Sequence, residues 1–199
     1  MNSIQSLLGQ TDIYLVDQIM KGRYTAGDLI LDAGCGAGRN MFWFLNNGFN
    51  INGIDTNEVA IRELKDKYQD LRSCFMVGAI ENGGFPDDHF NHIICSAVLH
   101  FAKSTAHFKS MFNELVCILQ PGGTLFIRMA SDIGIEDKVN LIADGVYLIP
   151  DASTRFLLTR QLLADCMHEF KMSFAEPIKT TNVADKRCMS TLLLQKMAF

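Results

Sequence analysis

Two short segments, both predicted to be strands, each end in an aspartate, and a glycine-rich turn follows the first. Leu29-Ile30-Leu31 leads into Asp32 and then into the turn Ala33-Gly34-Cys35-Gly36-Ala37-Gly38, and the second segment, 50–54, leads into Asp55. Glycine allows backbone conformations that a Cβ forbids and lets a ligand approach the main chain. In a doubly wound sheet, an acid at the end of the second strand accepts ribose hydroxyls. The pattern therefore indicates a cofactor that contains a nucleoside.

The spacing of the glycines separates two classes of cofactor. The dinucleotide fingerprint G-x-G-x-x-G, counted from Gly34, requires its third glycine at position 39, which is Arg39. Gly38 comes one residue too early. Asp32 also places a negative charge before the turn, where a diphosphate would prefer none. This argues against NAD or NADP and favours a nucleoside that carries an amino group.

The rest of the chain supplies the elements that would position this turn. Short strand-like segments with continuous apolar stretches, such as 29–31 and 93–95, alternate with segments of helical type. Such continuous apolar strands are typical of a parallel sheet covered by helices on both faces. The predicted strands are 29–31, 50–55, 73–77, 92–96 and 124–129, and the predicted helices between them run from Met41 to about Asn47, over 59–68 with Thr56 or Asn57 as the cap, and over 108–119.

The two ends of the chain are expected to complete the sheet and its cover. The apolar spacing from Ile4 to Met20 predicts one or two helices, broken near Gly9. A helix over 159–170 and a hairpin of 174–183 with 187–196 are predicted near the other end. The predicted fold class is α/β, with a doubly wound, mostly parallel seven-stranded sheet, helices on both faces and a C-terminal antiparallel hairpin.

Four segments, in order, resemble the motifs of a known enzyme family. Residues 30–38 look like the first motif of class I S-adenosylmethionine-dependent methyltransferases, and Asp55 matches their ribose-binding acid. Residues 85–91 (FPDDHFN) resemble the segment before their fourth strand, and 119–126 (LQPGGTLF) resemble their turn and fifth strand. The order and spacing hold over about 28–130. The continuation Arg39-Asn40 is similar to small-molecule enzymes of the tellurite- and thiopurine-type branch.

This resemblance implies S-adenosylmethionine as the cofactor, bound where the parallel strands end. The family often has an acid after the third strand, near the adenine amino group, but this chain has Gly78-Ala79-Ile80. Backbone groups around Ala79 and Ile80 would then hold the adenine, or Glu81 would substitute for the acid. Where the family has Phe-Asp before the fourth strand, this chain has Phe90-Asn91. Asparagine keeps the hydrogen bonding but loses the charge, which favours a structural role for this position over a lost catalytic one. The expected cofactor-binding residues are Asp32, Gly34, Cys35, Gly36, Gly38, Asp55, Thr56, Ala79, Ile80 and Ser96.

The expected substrate residues lie on other segments. By the resemblance the reaction is an in-line attack on the sulfonium methyl, and His100, just past the fourth strand, is the candidate base or substrate contact, with a capping role as the alternative. Tyr14 and Arg23 lie on the N-terminal helices, which commonly cover the pocket in this family. Arg128 follows three apolar residues on a strand, so it requires a partner, either an internal acid or a bound carboxylate. Arg155 is a further candidate, with a solvated role favoured.

A cover over the substrate end is also expected. Residues 130–153 break the regular pattern and follow the fifth strand, at the same edge as the glycine turn. We expect this stretch and the N-terminal helices to cover the methyl end of the cofactor. The chain is thus predicted to form one domain, with lid helices in 1–27, a cofactor-binding core in 28–130, and a substrate loop, last helix and closing hairpin in 131–199.

The composition of the chain limits the kinds of ligand and partner that are expected. The chain has 199 residues with 18 basic and 22 acidic side chains, a net charge of −4, whereas nucleic-acid and anionic-membrane surfaces usually show a basic excess. The six cysteines are scattered without a C-x-x-C pair, so no metal site is predicted and buried, reduced thiols are favoured. We expect a cytoplasmic monomer or homodimer that acts on a small molecule, without nucleic-acid or membrane partners.

Three functions remain open at this point. The favoured one is transfer of a methyl group from S-adenosylmethionine to a small-molecule nucleophile. A non-catalytic regulator that binds the same cofactor is the alternative, because methyl transfer requires few obligatory side chains. An NAD(P)-dependent oxidoreductase is the least favoured, because Arg39 replaces a glycine of its fingerprint.

Overall fold

A computed structural model describes residues 3–198, and it contains one large sheet and one small sheet. The predicted fold class is confirmed. Five strands of the large sheet are parallel neighbours, and the hairpin at the end of the chain adds two antiparallel strands and a short edge strand. These strands are β1 (Leu29–Ala33), β2 (Asn50–Asp55), β3 (Phe75–Val77), β4 (Phe90–Ser96), β5 (Leu119–Ser131), β9 (Met172–Phe174), β10 (Lys179–Val183) and β11 (Arg187–Lys196).

The order of the strands fixes which residues meet at one edge. The order is β10-β11-β5-β4-β1-β2-β3, with β9 pairing β11 from outside this path. The strands β3, β2, β1, β4 and β5 are parallel, so their carboxyl ends face the same edge. The order changes direction between β1 and β4, and ligands of such sheets bind outside the carboxyl ends at this kind of switch point.

Helices cover both faces of the large sheet. They are α1 (Ile4–Leu8), α2 (Ile13–Met20), α3 (Phe42–Asn46), α4 (Glu58–Lys67), α5 (Thr105–Cys117) and α6 (Arg160–Glu169). Successive strand residues point to opposite faces, so a strand that is apolar throughout requires a cover on each face. Leu31, Ile93 and Ile127 pack on one face with α5 and α6. Their neighbours Ile30 and Ile94 pack on the other face with α2, α3 and α4.

Polar side chains set the starts of these helices. Asn57 accepts hydrogen bonds from the N–H groups of Val59 and Ala60, which confirms it as the cap of α4. Ser104 and Thr159 cap α5 and α6 in the same way. Side-chain oxygens at this position satisfy backbone donors that have no partner inside the helix. The predicted break at Gly9 between α1 and α2 is also confirmed.

The stretch 130–153 differs from the prediction. It was expected to be irregular, but it contains most of a second, antiparallel sheet of β6 (Asn140–Ala143), β7 (Val146–Leu148) and β8 (Thr154–Phe156). Gly145, at φ +71°, allows the tight turn between β6 and β7. The strands were too short to show a period-two pattern in the sequence, and Leu141 and Ile142 on β6 are exposed rather than buried.

Within residues 3–198, the longest helix is α5 with 13 residues. A bilayer span needs about 20 apolar residues. No helix in this part of the chain has the length and apolar character to cross a membrane.

Candidate functional site

A cleft of about 510 Å³ opens at the carboxyl ends of β1, β2, β3 and β4, which is within the usual size range of ligand pockets. Five of the ten predicted cofactor residues line it: Gly34, Asp55, Thr56, Ala79 and Ile80. The other lining residues come from the end of β2, from the turns that follow β3 and β4, and from α5. They are Ile54, Gly78, Glu81, Ala97, Val98, Phe101, Lys103, His107 and Met111.

The glycine turn is held against the end of β2. The N–H groups of Gly34 and Cys35 both donate to the carbonyl of Ile54, at 2.8 and 3.1 Å. The N–H of Gly36 donates to Asp55 Oδ2 at 2.7 Å, and Asp55 Oδ1 accepts from Asn57 N at 2.8 Å. Asp55 therefore fixes both the turn and the start of α4, which places its carboxylate in the wall of the cleft.

Gly34 has a steric reason to be glycine. It lies at φ +82°, and an added Cβ would lie 2.2 Å from Val98 Cγ2. By contrast, an added Cβ on Gly36, at φ +51°, would meet no atom within 4 Å. The first glycine is thus packed against the residue that follows β4, and the second faces open space.

Asp32 and Ser96, at the ends of β1 and β4, hold buried polar atoms without partners. Both carboxylate oxygens of Asp32 and the hydroxyl of Ser96 make no hydrogen bond among the described residues. Burial raises the pKa of Asp32 to about 7, against an opposing effect of Arg39 and with a further contribution from Asp55. Neither residue lines the cleft wall itself. An unpartnered buried carboxyl is costly, and it fits a cofactor that brings an ammonium group.

Cys35 and Gly38 support the turn from beneath. The Sγ of Cys35 packs close to Gly53, and burial raises the pKa of its thiol. Gly38, at φ +78°, leaves room for Leu64 of α4, whose Cδ2 would lie 2.7 Å from an added Cβ. Neither residue lines the cleft.

On the β3 side, Glu81 is tied to α5. Its Oε1 lies 3.0 Å from Nε2 of His107, and the N–H of Lys103 donates to the Nδ1 of the same ring at 3.1 Å. Burial alone would raise the pKa of the Glu81 carboxyl, but hydrogen bonds from its own backbone N–H and from the His107 ring outweigh burial and lower the pKa. Ala79 precedes a 3-10 turn, Ile80–Asn82, whose first N–H groups have no partner inside the turn.

At the end of β4 the backbone is bent sharply towards the cleft. Ala97 lies at φ +63°, in a region that non-glycine residues rarely adopt, and its N–H donates to the carbonyl of Arg128 at 2.7 Å. Strained residues of this kind cluster at functional sites. The bend carries Val98 over Gly34 and starts the 3-10 turn Leu99–Phe101.

His100 is buried in this turn, and its geometry does not suit a general base. Its Nδ1 accepts a hydrogen bond from the N–H of Ala130 at 3.3 Å, so the neutral ring carries its proton on Nε2. Burial, followed by the charges of Arg155 and Arg128, lowers its pKa to about 4. A base works best when its pKa lies near the working pH. The ring acts as a hydrogen-bond donor at neutral pH.

Beyond β4, Arg128 of β5 is paired with an internal acid. Its Nη1 lies 3.3 Å from Oδ2 of Asp12, the buried cap of α2, and its guanidinium lies over the Tyr14 ring at 5.2 Å. Asp12 also lies 3.8 Å from Nη2 of Arg39, and its N–H donates to Asn40 Oδ1. The residues that follow the glycine turn thus hold the start of α2 beside β5.

Arg23 does not line the cleft, and its predicted contact with substrate stays a prediction. Its guanidinium pairs with Glu176 at 3.0 Å and its Nε donates to Gln18 at 2.7 Å. It follows α2, which begins near the carboxyl end of β5 and runs towards the opposite edge of the sheet. At that edge Tyr24 packs against His92, whose Nε2 lies 3.2 Å from Asp28.

The small sheet approaches the cleft through Arg155 of β8. Its guanidinium lies 5.4 Å from the ring centroid of Phe101, an exposed side chain that lines the cleft. Asp144, between β6 and β7, accepts hydrogen bonds from Thr105 at the start of α5. The sequence did not single out Phe101, Lys103 or Met111, and it placed His107 on the surface or in the core. Phe101 and Lys103 could have been found by their position soon after β4, a strand that ends at the cleft, whereas His107 and Met111 lie on α5 and have no such signal.

Comparison with known proteins agrees with this geometry. Residues 31–127 match a family model described as a methyltransferase domain. The chain is 29% identical over 110 residues to a sterol 24-C-methyltransferase of Eremothecium gossypii, and 31% identical over 104 residues to a tRNA (carboxymethyluridine(34)-5-O)-methyltransferase of Arabidopsis thaliana. Each match covers 52% of this chain but only 28% and 24% of the relative, so the chain spans about a quarter of their length.

A solved structure resembles the described chain over a longer range. The 1,6-didemethyltoxoflavin-N1-methyltransferase of Burkholderia thailandensis, solved with bound 1,6-didemethyltoxoflavin and S-adenosylhomocysteine, is 14% identical, with a TM-score of 0.71 over 98% of this chain and 82% of that one. At this identity the likeness shows the fold. The family match spans the strands and the turn that build the cleft, and residues 31–127 therefore form a methyltransferase domain, with the fold of the class I S-adenosylmethionine-dependent methyltransferases.

Proposed function

We propose that this protein transfers a methyl group from S-adenosylmethionine to a nucleophilic atom of a small molecule and releases S-adenosylhomocysteine. The observation that carries the proposal is the cleft wall formed by Asp55 and the glycine turn within a matched methyltransferase domain. This arrangement offers a carboxylate and close backbone approach side by side, as a nucleoside requires.

Each end of the cofactor has a set of residues suited to it. Asp55 accepts one N–H on each carboxylate oxygen, and each oxygen keeps capacity for a ribose hydroxyl. The backbone at Ala79 and Ile80 is suited to the adenine ring, and Asp32 to the amino group. In sheet order these residues follow β3, β2 and β1, so the methyl group is expected near β4 and the acceptor near β5.

The cofactor supplies an already electrophilic methyl group on its sulfonium. The protein therefore contributes mainly by positioning the acceptor and excluding water, which is worth roughly 7–11 kcal/mol in favourable cases. His100 is assigned a positioning role rather than that of a base, because its accepting nitrogen is already used by Ala130.

The acidic balance of the chain favours a small acceptor over a nucleic acid. The net charge is −4, and many of the cations are paired with acids, as in the group of Lys21, Lys179 and Glu176. Nucleic-acid binding depends on unpaired basic side chains arranged along one surface. The tRNA enzyme of Arabidopsis is about four times longer than the part matched here, whereas the toxoflavin enzyme, named for a small molecule, matches over most of its length.

Calorimetry with S-adenosylhomocysteine, NAD and NADP tests the cofactor. We expect binding of the first only, and we expect Asp55→Ala to weaken it at least tenfold, because a hydrogen bond to a charged group is worth about 1.5–3 kcal/mol. The control is Asp70→Ala, an exposed acid remote from the cleft, which should bind normally. Tight NAD binding without S-adenosylhomocysteine binding would disprove the assignment.

Release of S-adenosylhomocysteine in a panel of metabolites tests the transfer. A signal that disappears in Asp55→Ala and persists in Asp70→Ala supports an enzyme. Tight cofactor binding with no turnover on any panel member would instead favour the non-catalytic regulator.

A further inference from the structure

Two guanidinium groups near the proposed acceptor end are each held against an aromatic ring. Arg128 lies 5.2 Å from the Tyr14 ring centroid, and Arg155 lies 5.4 Å from that of Phe101. Stacking uses the face of the guanidinium and leaves its in-plane N–H groups available. Arg128 is on the strand beside Ser96, and its carbonyl holds Ala97 of the cleft wall. Both cations are therefore preorganised at the same end of the site.

The charges at this end are not balanced by the protein. Asp12 is the acid paired with Arg128, and it also faces Arg39. The Nε of Arg128 is buried without a hydrogen-bond partner. Among residues 3–198, Arg155 makes no ion pair, and its guanidinium donates a hydrogen bond only to the carbonyl of Thr154. Its charge makes a small contribution, after the hydrogen bonds of Ser153, to the lowered pKa of Asp151. The cationic side chains thus exceed the acids that face them.

His100 adds a third donor at this end. The ring centroids of His100 and Phe101 lie 4.5 Å apart, and Phe101 is the ring that Arg155 contacts. Arg128 is two residues before Ala130, the backbone partner of His100. The Nδ1 of His100 accepts from Ala130, which leaves Nε2–H to donate. The acids of the cleft, Asp55 and Glu81, are at the other end, beside β2 and β3. The proposed acceptor end is therefore rich in donors and positive charge.

We infer that the methyl acceptor is an anion whose carboxylate is bound by Arg128 and Arg155. The inference rests on the proposed function and adds the substrate class to it. A carboxylate matches the planar fork of a guanidinium with two parallel hydrogen bonds. A neutral acceptor would leave the half-buried guanidinium of Arg155, which makes no ion pair among residues 3–198, without an anionic partner.

Matched acids and amides test this inference on protein saturated with S-adenosylhomocysteine. The probes are benzoate, phenylacetate and succinate, each compared with its amide by calorimetry or ligand-observed NMR. We expect at least one acid to bind at least tenfold more tightly than its amide. Arg155→Gln should reduce the ratio of acid affinity to amide affinity at least tenfold. It should leave S-adenosylhomocysteine affinity unchanged, because Arg155 is on β8, away from the cofactor residues.

Arg160→Gln is the matched control. It removes the same charge from an exposed position on α6, where the nearest acid is Glu136 at 3.9 Å, and it should keep the acid preference. If no acid binds better than its amide, or Arg155→Gln retains the preference, the inference is overturned while the methyltransferase assignment stands on its own binding test. If the wild type binds no S-adenosylhomocysteine, the proposed function fails and the inference fails with it.

Discussion

The cofactor end and the proposed acceptor end hold their groups in different ways. At the cofactor end, the glycine turn and the two acids come from one short stretch, 32–57, and only the adenine backbone groups at Ala79 and Ile80 come from outside it. The turn is fixed by hydrogen bonds to Ile54 and Asp55. At the proposed acceptor end, the groups come from four separate elements and are fixed by ion pairs and ring contacts. A ligand common to a family can be recognised by local backbone geometry, whereas a particular acceptor requires side chains brought together by the fold.

This difference predicts that backbone changes damage the cofactor end most. Gly34→Ala adds a Cβ 2.2 Å from Val98 Cγ2 at positive φ, so overpacking and backbone strain should together lower the free energy of unfolding by about 2–5 kcal/mol. Gly36→Ala adds only the strain, about 1–2 kcal/mol. Urea denaturation of both variants measures this, and equal losses would show that the contact with Val98 is not decisive.

Also at the cofactor end, the buried carboxylate of Asp32 is expected to lower the stability of the fold while it favours binding of the cofactor. Its pKa is raised to about 7 in the folded protein, from about 3.9 in an unfolded chain, so its contribution to stability is full below about pH 4 and is lost as the pH rises to about 7. Asp32→Asn should therefore raise the Tm at pH 8 by about 4 °C or more, with little change at pH 4.

The same substitution should weaken S-adenosylhomocysteine binding. Wild-type affinity should increase as the pH rises through about 7, because the ionised carboxylate suits an ammonium group, and the Asp32→Asn variant should lose this dependence. Asp70→Asn, on the surface, is the control for a lost charge. A lower Tm of Asp32→Asn at pH 8 would contradict the account of a destabilising buried charge.

The smallest expected effect is at His100. Its pKa of about 4 keeps the ring neutral between pH 5.5 and 8, so the single-turnover rate should show no histidine step in that range. His100→Gln keeps both an acceptor for the N–H of Ala130 and a donor, and the rate should fall by less than tenfold. A rate that drops with pH near 6.5 in the wild type, but not in the variant, would restore His100 as the base.

The cofactor end could be predicted from the sequence because its signals are local. A strand, a glycine turn and an acid at the next strand end are consecutive, and parallel topology brings the two ends together without further information. Continuous apolar strands likewise predicted two covered faces. The same local chemistry predicted Thr56 or Asn57 as the cap of the next helix, and the structure has Asn57 there.

The acceptor end depended on the tertiary structure. The partner of Arg128 is Asp12, more than a hundred positions earlier, and nothing in the spacing connects them. The pairing of Arg23 with Glu176, 153 positions later, likewise has no signal along the sequence. The sheet of β6, β7 and β8 was missed because its strands are short and largely exposed. The sequence by itself determined the sheet, the turn and the cofactor class, since these follow from neighbours along the chain. Only the folded structure decided which distant charges meet, because ion pairs and ring contacts between separate elements leave no pattern along the sequence.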